Sequence, residues 1–314
     1  MRRLEIKRQM GTDDIANVNE LLDAAARADG RRPLSDHLYL DLVNGGLDGF
    51  TGFLAWEPGH HHPVAYAQIS RGNDSYAFEL VVNPHHRYEM MTIGPELIDA
   101  AVGVVGDEGG GTVNWWVFEP TMAHDALATA AGMRHGRTLY QMRRPLPTGI
   151  PVEVVTRAFV PGDDDEAWLA VNNRAFAGHG EQGGWTLDTF CQRQKEPWFD
   201  PEGFRVHERD GRMAAFCWTK VHAAESAPDG DLGEIYVIAV DPDFHGLGLG
   251  RQLTLAGLDH LARQGIDTGM LYVDADNAAA VGLYTSLGFE VHCTNTAFVT
   301  DIDTAATIDT VIST

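Results

Sequence analysis

A run of alternating glycines, His245-Gly246-Leu247-Gly248-Leu249-Gly250, follows an apolar stretch headed by an acid, Glu234. Glycines so spaced let a backbone turn back sharply, so that successive N–H groups converge on one anion. A helix starting after the turn adds its positive N-terminal end, and a pyrophosphate is the natural guest. By itself such a run is also a plain structural turn. The dinucleotide-binding version fits poorly: it expects G-x-G-x-x-G and an acidic ribose ligand after the next strand, whereas Asp267 comes before that strand. The carboxylate of Glu234 could take a proton from an amine, directly or through water; it reads equally as a strand residue facing solvent. Lys220 is one of three lysines, with Lys7 and Lys195, and is either a solvated cation or a ligand contact. Tyr284, four residues before Gly288, reads by position as a core aromatic under a helix. No Ser/His/Asp or Cys/His arrangement suggests a covalent acyl-enzyme. His60-His61-His62, between Gly59 and Pro63, reads as an exposed loop rather than a metal tract, and no metal is expected.

The elements that must hold these residues are legible around them. Glu234 to Val240 is a continuous β-type run closed by Asp241-Pro242, as in a buried strand. Leu253, Leu255, Ala256, Leu258, Leu261 and Ala262 then share one helical face, with Gly265 at the stop. Met270 to Val273 predicts another strand, and Asn277 is an apt N-cap for a helix closing at Gly288. Upstream, Trp168 to Phe176 predicts a helix, and Phe204 to Val206 and Met213 to Val221 predict strands. The alternation is that of an α/β protein with a mixed sheet. Asp163-Asp164-Asp165-Glu166 reads as a solvated helix start, Trp115-Trp116 as core within a strand, and Cys191, Cys217 and Cys293 as buried small hydrophobes.

The chain has 314 residues, enough for two domains of about 150. Pro145, Pro147 and Pro151 flank Gly149 and predict a linker over 145–151, between domains at 1–144 and 152–314. The halves rhyme in the same order: Gly52-Phe53-Leu54-Ala55 answers Gly203-Phe204-Arg205-Val206, Leu80-Val81-Val82-Asn83-Pro84 answers Ile238-Ala239-Val240-Asp241-Pro242, and Ala131-Gly132-Met133 answers Leu287-Gly288-Phe289. A duplicated unit is the economical reading. Forty-five acidic against 23 basic residues give a net charge of −22, which excludes nucleic acid and anionic membranes as expected partners. An odd, scattered set of cysteines excludes a disulfide framework and fits a reducing cytoplasm. No apolar run reaches a membrane span, and no signal segment is expected.

The segment from Glu234 to Ala262, EIYVIAVDPDFHGLGLGRQLTLAGLDHLA, followed by LYVDADNAAAVGLYTSLGFE from Leu271 to Glu290, resembles the core of the GCN5-related N-acetyltransferases. The stretches NNRAFAGHGEQGGWT, WFDPEGF, WTKVH and YQMRRPL narrow it to the mycothiol synthases, a family with two such domains in tandem. The resemblance implies acetyl transfer from acetyl-CoA, as co-substrate, to the cysteinyl amine of a cysteine–glucosamine–inositol pseudodisaccharide (desacetylmycothiol), in a cytoplasmic monomer. It makes Glu234 the general base and Tyr284 the general acid that protonates the sulfur of CoA. It assigns the cofactor to Ile238, Ala239 and Val240, to His245, Gly246, Leu247, Gly248, Leu249, Gly250 and Arg251, and to Asn277, Ala278, Ala279, Ala280, Val281 and Gly282. His245 stands where the family has Gln or Arg, which removes one side-chain contact. The substrate contacts implied are Asp36, Glu181, Lys220, Glu234 and Tyr272, with Asp36 one methylene shorter than Glu. In the first half Leu80, Val81 and Val82 form the matching cofactor strand. The loop there reads His86-Arg87-Tyr88-Glu89-Met90-Met91-Thr92-Ile93-Gly94, with one glycine, so that half is expected to be non-catalytic. Transfer to another small amine, an aminoglycoside or a peptide, and acyl-CoA binding without turnover are the alternatives.

Overall fold

The computed structural model describes residues 2–72, 75–178, 182–223 and 230–304, apart from the side chain of Asp36. Its elements are β1 (Arg3–Lys7), α1 (Thr12–Asp29), α2 (Asp36–Val43), β2 (Thr51–Trp56), β3 (Ala65–Arg71), β4 (Ser75–Val82), α3 (Met90–Asp107), β5 (Gly111–Phe118), α4 (Met122–Ala130) and β6 (Arg134–Pro145). They continue with β7 (Arg157–Ala158), α5 (Asp165–Ala175), α6 (Leu187–Arg193), β8 (Phe204–Arg209), β9 (Arg212–His222), β10 (Leu232–Val240), α7 (Leu249–Arg263), β11 (Thr268–Asp274), α8 (Ala278–Ser286) and β12 (Glu290–Ile302). The second list repeats the first in kind and order, so the duplication heard in the sequence is a duplication of architecture.

Two compact units result: Met1–Thr138 with Asn295–Thr314, and Leu139–Thr294. Their boundaries fall inside β6 and inside β12, not at the prolines. In the second unit Leu139–Pro145 of β6 lie antiparallel to β11. In the first, Asn295–Ile302 of β12 lie antiparallel to β5. Each unit therefore takes one strand from the other half of the sequence. The segment expected as a linker begins in structure as well: Leu146 is buried in the second unit's core and its N–H donates to the Asp267 carbonyl at 2.8 Å.

Each sheet is mixed. The first runs β1-β2-β3-β4-β5-β12 and the second β6-β11-β10-β9-β8-β7. Only the β4–β5 and β10–β11 pairs are parallel among the pairings described. Helices cover both faces, because alternate strand residues are apolar on either side. In the first unit Phe53, Phe78 and Trp115 join Leu97 of α3 and Leu127 of α4 in one core, while Leu54, Tyr66 and Phe50 join Leu21 and Leu22 of α1 in another. In the second, Cys217, Ile235 and Leu271 pack with Leu253 and Leu258 of α7 and Tyr284 of α8. The opposite face is aromatic: Trp168 of α5 stacks on Phe190 of α6 with centroids 3.8 Å apart, and Phe204 on Trp218 at 4.9 Å.

Two expectations are corrected here. The acidic run before α5 is not solvated throughout. Asp164 and Asp165 are both buried. Arg157 donates to both oxygens of Asp164, at 2.6 and 2.8 Å, and the Val160 N–H adds a third bond. Gly162 N–H and the Gln194 amide satisfy Asp165. The Arg157 guanidinium holds the Asp164 carboxyl below the usual carboxylate range. Of the cysteines only Cys217 is fully buried, and burial pushes its thiol up; Cys191 and Cys293 are half-buried.

In the first unit Gly94 is not the remnant of a loop. It lies within α3, where a Cβ would come within 2.4 Å of Leu127 Cδ2, so it is a helix-packing glycine. Gly94→Val is expected to destabilise the protein by about 1–3 kcal/mol through overpacking, with little offset from helix propensity. Urea unfolding measures this; an unchanged midpoint would mean that Leu127 yields without cost.

Candidate active site

The site is built on β10. Against β9 the strand keeps antiparallel register from Leu232 to Val240, but with a slip between Ile235 and Val237. Tyr236 is the extra residue of a β-bulge. On its other side β10 pairs with β11 only over Leu232–Glu234, while β11 itself stays paired with β6 out to Asp274. The two parallel strands thus part company after Glu234 and Met270. A fork opens towards their carboxyl ends, where open α/β sheets take their ligands. Ile238, Ala239 and Val240, paired with β9 on one side, form the arm of that fork that has no β11 partner.

Beyond Val240 a 3-10 turn, Pro242–Phe244, leads into the glycine loop. Gly246 has φ 80° and Gly248, the N-cap of α7, φ 74°. The first intrahelical bond runs from Gln252 N–H to the Gly248 carbonyl at 3.3 Å, which leaves the N–H groups of Leu249, Gly250 and Arg251 without helical acceptors. A Cβ at Gly246 or Gly248 would meet no protein atom within 4 Å. What requires glycine there is the left-handed backbone and the open ground in front of it, not packing within the chain. An acyl-CoA pyrophosphate fits that cradle. A Cβ at Gly250 would lie 3.8 Å from Leu283 and 4.0 Å from Val240, so the loop, the end of β10 and α8 converge on one point. His245, in the position expected to lack a contact, turns back on the strand: its Nε2 donates to the Val240 carbonyl at 3.0 Å. Arg251 reaches Ser286 of α8 at 3.2 Å instead of pointing into the loop.

Asn277 caps α8, its Oδ1 accepting from Ala280 N–H at 3.1 Å, and so starts the helix at Ala278. Ala280 and Val281 pack beside Ile238 and Val240, and Tyr284 is buried in the same cluster. Its ring meets Phe289 edge-on at 5.9 Å. Burial raises the phenol to about 12, with the Cys217 sulfur adding to the shift; the group keeps its proton across the working pH range.

The other functional face follows from register. Lys220 of β9 is opposite Glu234, and Glu234 is opposite Met270, whose partner on β6 is Arg143. One pleat on, Tyr272 is opposite Gln141. These positions share one face of the sheet. Glu234 and Lys220 are both buried. The Glu234 carboxylate can only accept, so His222 Nε2 donates to its Oε2, at 2.7 Å. The Lys220 ammonium stands over the rings of Trp198, at 4.7 Å, and of the bulge residue Tyr236, at 5.6 Å. Tyr272 is 40% exposed, and its hydroxyl accepts from the Gln141 amide at 2.7 Å; Arg143 in turn donates to Gln141 at 2.8 Å.

The structure thus gathers Glu234, Lys220, Tyr272, the glycine loop, Asn277 and Tyr284 within the second unit. Glu181 lies outside the described residues. Asp36 belongs to the first unit, as the first residue of α2, and its side chain lies outside the described set. Leu80, Val81 and Val82 are in the first unit too, on β4, which pairs with β5 only over Ser75–Phe78 and so opens a similar fork. There, however, a 3-10 turn, Pro84–Glu89, runs straight into α3. No described residue from Pro84 to Asp107 has positive φ. Sequence reasoning passed over His222, Gln141 and Trp198. His222 had a signal, since it stands two residues past Lys220 on a strand and so on the same face. Gln141 had none, because its neighbour Tyr272 is 131 positions on and pairing is non-local.

No helix among the described residues is long and apolar enough to cross a membrane. Residues 168–289 match the acetyltransferase (GNAT) family. The chain is 46% identical to a mycothiol acetyltransferase of Thermobispora bispora, over 91% of this chain and 95% of that one. It is 42% identical to the mycothiol acetyltransferase of Streptomyces coelicolor, over 96% of each. Among solved structures, a GCN5-related N-acetyltransferase from Sphaerobacter thermophilus superposes with a TM-score of 0.74 over 96% of both chains at 21% identity. A tandem GNAT protein from the clavulanic acid biosynthesis pathway gives 0.68 over 96% of this chain and 100% of its own, at 18%. The last two establish the tandem fold. With the identity to the first two running through both units, the chain belongs to the mycothiol acetyltransferase family.

Proposed function

We propose that the second unit moves the acetyl group of acetyl-CoA onto the cysteinyl amine of desacetylmycothiol, the closing step of mycothiol biosynthesis. The observation that carries the chemistry is the hydrogen bond from half-buried His222 to buried Glu234 at the crotch of the β10–β11 fork, with Lys220 opposite Glu234 on β9.

Bound in the fork, acetyl-CoA supplies a thioester-activated acetyl group. The chain's part begins with the acceptor, which reaches the site as an ammonium at neutral pH. Glu234 takes one of its protons at a carboxylate oxygen, and the bond from His222 to Oε2 keeps that carboxylate turned towards the site. N–H groups of Ile238–Val240 that face away from β9 polarise the acyl oxygen, and do so with no reorganisation because β9 fixes the strand. Tyr284 then gives its proton to the departing sulfur as the C–S bond breaks and the amine nitrogen bonds to the acyl carbon, and the second amine proton restores the phenol. A phenol raised to about 12 is fully protonated when it is needed. The glycine loop and the first turn of α7 hold the pyrophosphate. Lys220, clamped over Trp198 and Tyr236, gives the polyhydroxylated acceptor one fixed cation, and Tyr272, steadied by Gln141, gives it a hydroxyl.

Purified protein given acetyl-CoA is expected to acetylate the cysteinyl pseudodisaccharide far faster than an aminoglycoside or a peptide amine; equal rates would sink the assigned acceptor. Glu234→Gln should lower kcat by about 10²–10⁴ while acetyl-CoA still binds, and a rate near wild type at neutral pH would remove Glu234 from the mechanism. Tyr284→Phe should lower the height of the pH–rate profile without changing its alkaline side, because the phenol does not ionise below about pH 11 if its value is near 12. An alkaline limb near pH 9 that disappears in Tyr284→Phe would contradict this. Gly248→Val forces a β-branched residue to a φ of 74° and should abolish acetyl-CoA binding in a calorimetric titration. Retained binding with full stoichiometry would locate the cofactor elsewhere.

A further inference from the structure

Where the second unit has its glycine loop, the first carries a histidine with an unmet demand. His86 lies in the 3-10 turn after β4, 8% exposed, and its Nδ1 is buried without a hydrogen-bond partner. Glu57, at the end of β2, and His60, on the exposed turn that follows, stand beside it. Each of the three offers one ligand atom, and these atoms all lie within 4.8 Å of one another. The His60 and His86 rings approach edge to face, with centroids 4.9 Å apart.

The carboxylates around His86 are already braced. Arg2 donates to Glu57 Oε1 at 2.7 Å and to Glu89 Oε2 at 3.0 Å. Their other oxygens, Glu57 Oε2 and Glu89 Oε1, face His86 Nδ1 at 4.0 and 3.5 Å. Neither contact is a hydrogen bond of useful strength. A buried ring nitrogen that faces two carboxylate oxygens without hydrogen-bonding either is satisfied by a cation common to all of them. Two imidazoles and a carboxylate are the donor set of zinc, with one position left for water or for Glu89; calcium and magnesium take all-oxygen sets. Bonds of about 2.0–2.2 Å to a tetrahedral ion bring ligand atoms to about 3.5 Å apart. That requires a contraction of about 1 Å, which His60 on its exposed turn can supply. The Arg2 bond to the far oxygen of Glu57 is the outer-shell support that holds a carboxylate ligand in orientation.

We propose that Glu57, His60 and His86 bind one zinc ion, which ties the β2–β3 turn to the start of α3 in the first unit. The site is structural. It lies in the first unit, while the chemistry proposed above belongs to the second, and it reverses the reading of His60 as merely part of an exposed loop.

The test uses the full-length chain without an affinity tag, stripped with a chelator and titrated with zinc chloride against a chromophoric competitor. One equivalent is expected to bind, with a rise in the thermal midpoint. His60→Ala, an exposed substitution that leaves the core untouched, and His86→Gln should each weaken binding by at least about tenfold and cancel that rise. His61→Ala and His62→Ala, on the same turn, should bind as the wild type does. Cobalt(II) in place of zinc should give the visible absorption of a four-coordinate site, lost in the same two variants. Wild-type protein that takes up no zinc at micromolar concentration would overturn the proposal. So would zinc held as tightly by His60→Ala and His86→Gln as by the wild type, or weakened equally by His61→Ala and His62→Ala.

Discussion

At Tyr236, β10 has one residue more than β9 can match, and the ladder absorbs it by slipping between Ile235 and Val237. A bulge bends its strand and raises the local twist. Here it falls two residues past the last partner that β11 provides. The side chains after it change parity, so that Tyr236 and Val237 both join the aromatic face while Ile238 and Val240 return to the α7–α8 face. That one irregularity has three results. It ends the parallel pairing just beyond Glu234, it frees the edge of Ile238–Val240, and it sets the Tyr236 ring beside the Lys220 ammonium. The proposed base, the proposed cofactor edge and the proposed acceptor contact share a single cause.

The two units separate what the fold supplies from what the loop adds. Both have a parallel pair that stops short, β4–β5 after Phe78 and β10–β11 after Glu234. The fork is therefore a property of the architecture. Among the described residues, only the second unit follows it with left-handed glycines in front of a helix. In the first unit the same stretch of chain is wound into a 3-10 turn and α3, and its polar residues look to one another: Glu57, Glu89 and Arg2 around His86.

Much of the second unit was legible in the sequence because its signals are local. The Glu234–Val240 run, the glycine loop and the Asn277 cap each depend on residues within one element, and each appears where periodicity and turn chemistry put it. What stayed hidden depends on distant partners. The Asp164 carboxylate looks solvated until Arg157 is folded back on it. Gln141 has no visible role until β6 lies against β11. Proline clustering marked a break in regular structure, correctly as chemistry, but a sheet assigns its strands by pairing, and pairing carried the unit boundaries to the middle of β6 and β12.

Those boundaries bear on how such a duplication persists. The chain passes between the units twice, once within β6 and once within β12, and each passage delivers a strand to the receiving sheet. A nick among the prolines at 145–151 would not yield two independent halves. The front fragment would carry away the strand that covers β11, and the rear fragment the strand that covers β5, leaving each sheet with a raw edge. A cut just before Leu139, by contrast, would leave the second unit its β6 strand, because that unit runs unbroken from Leu139 to Thr294. Strand pairing, and not the proline cluster, thus sets where the second unit can be parted from the rest of the chain.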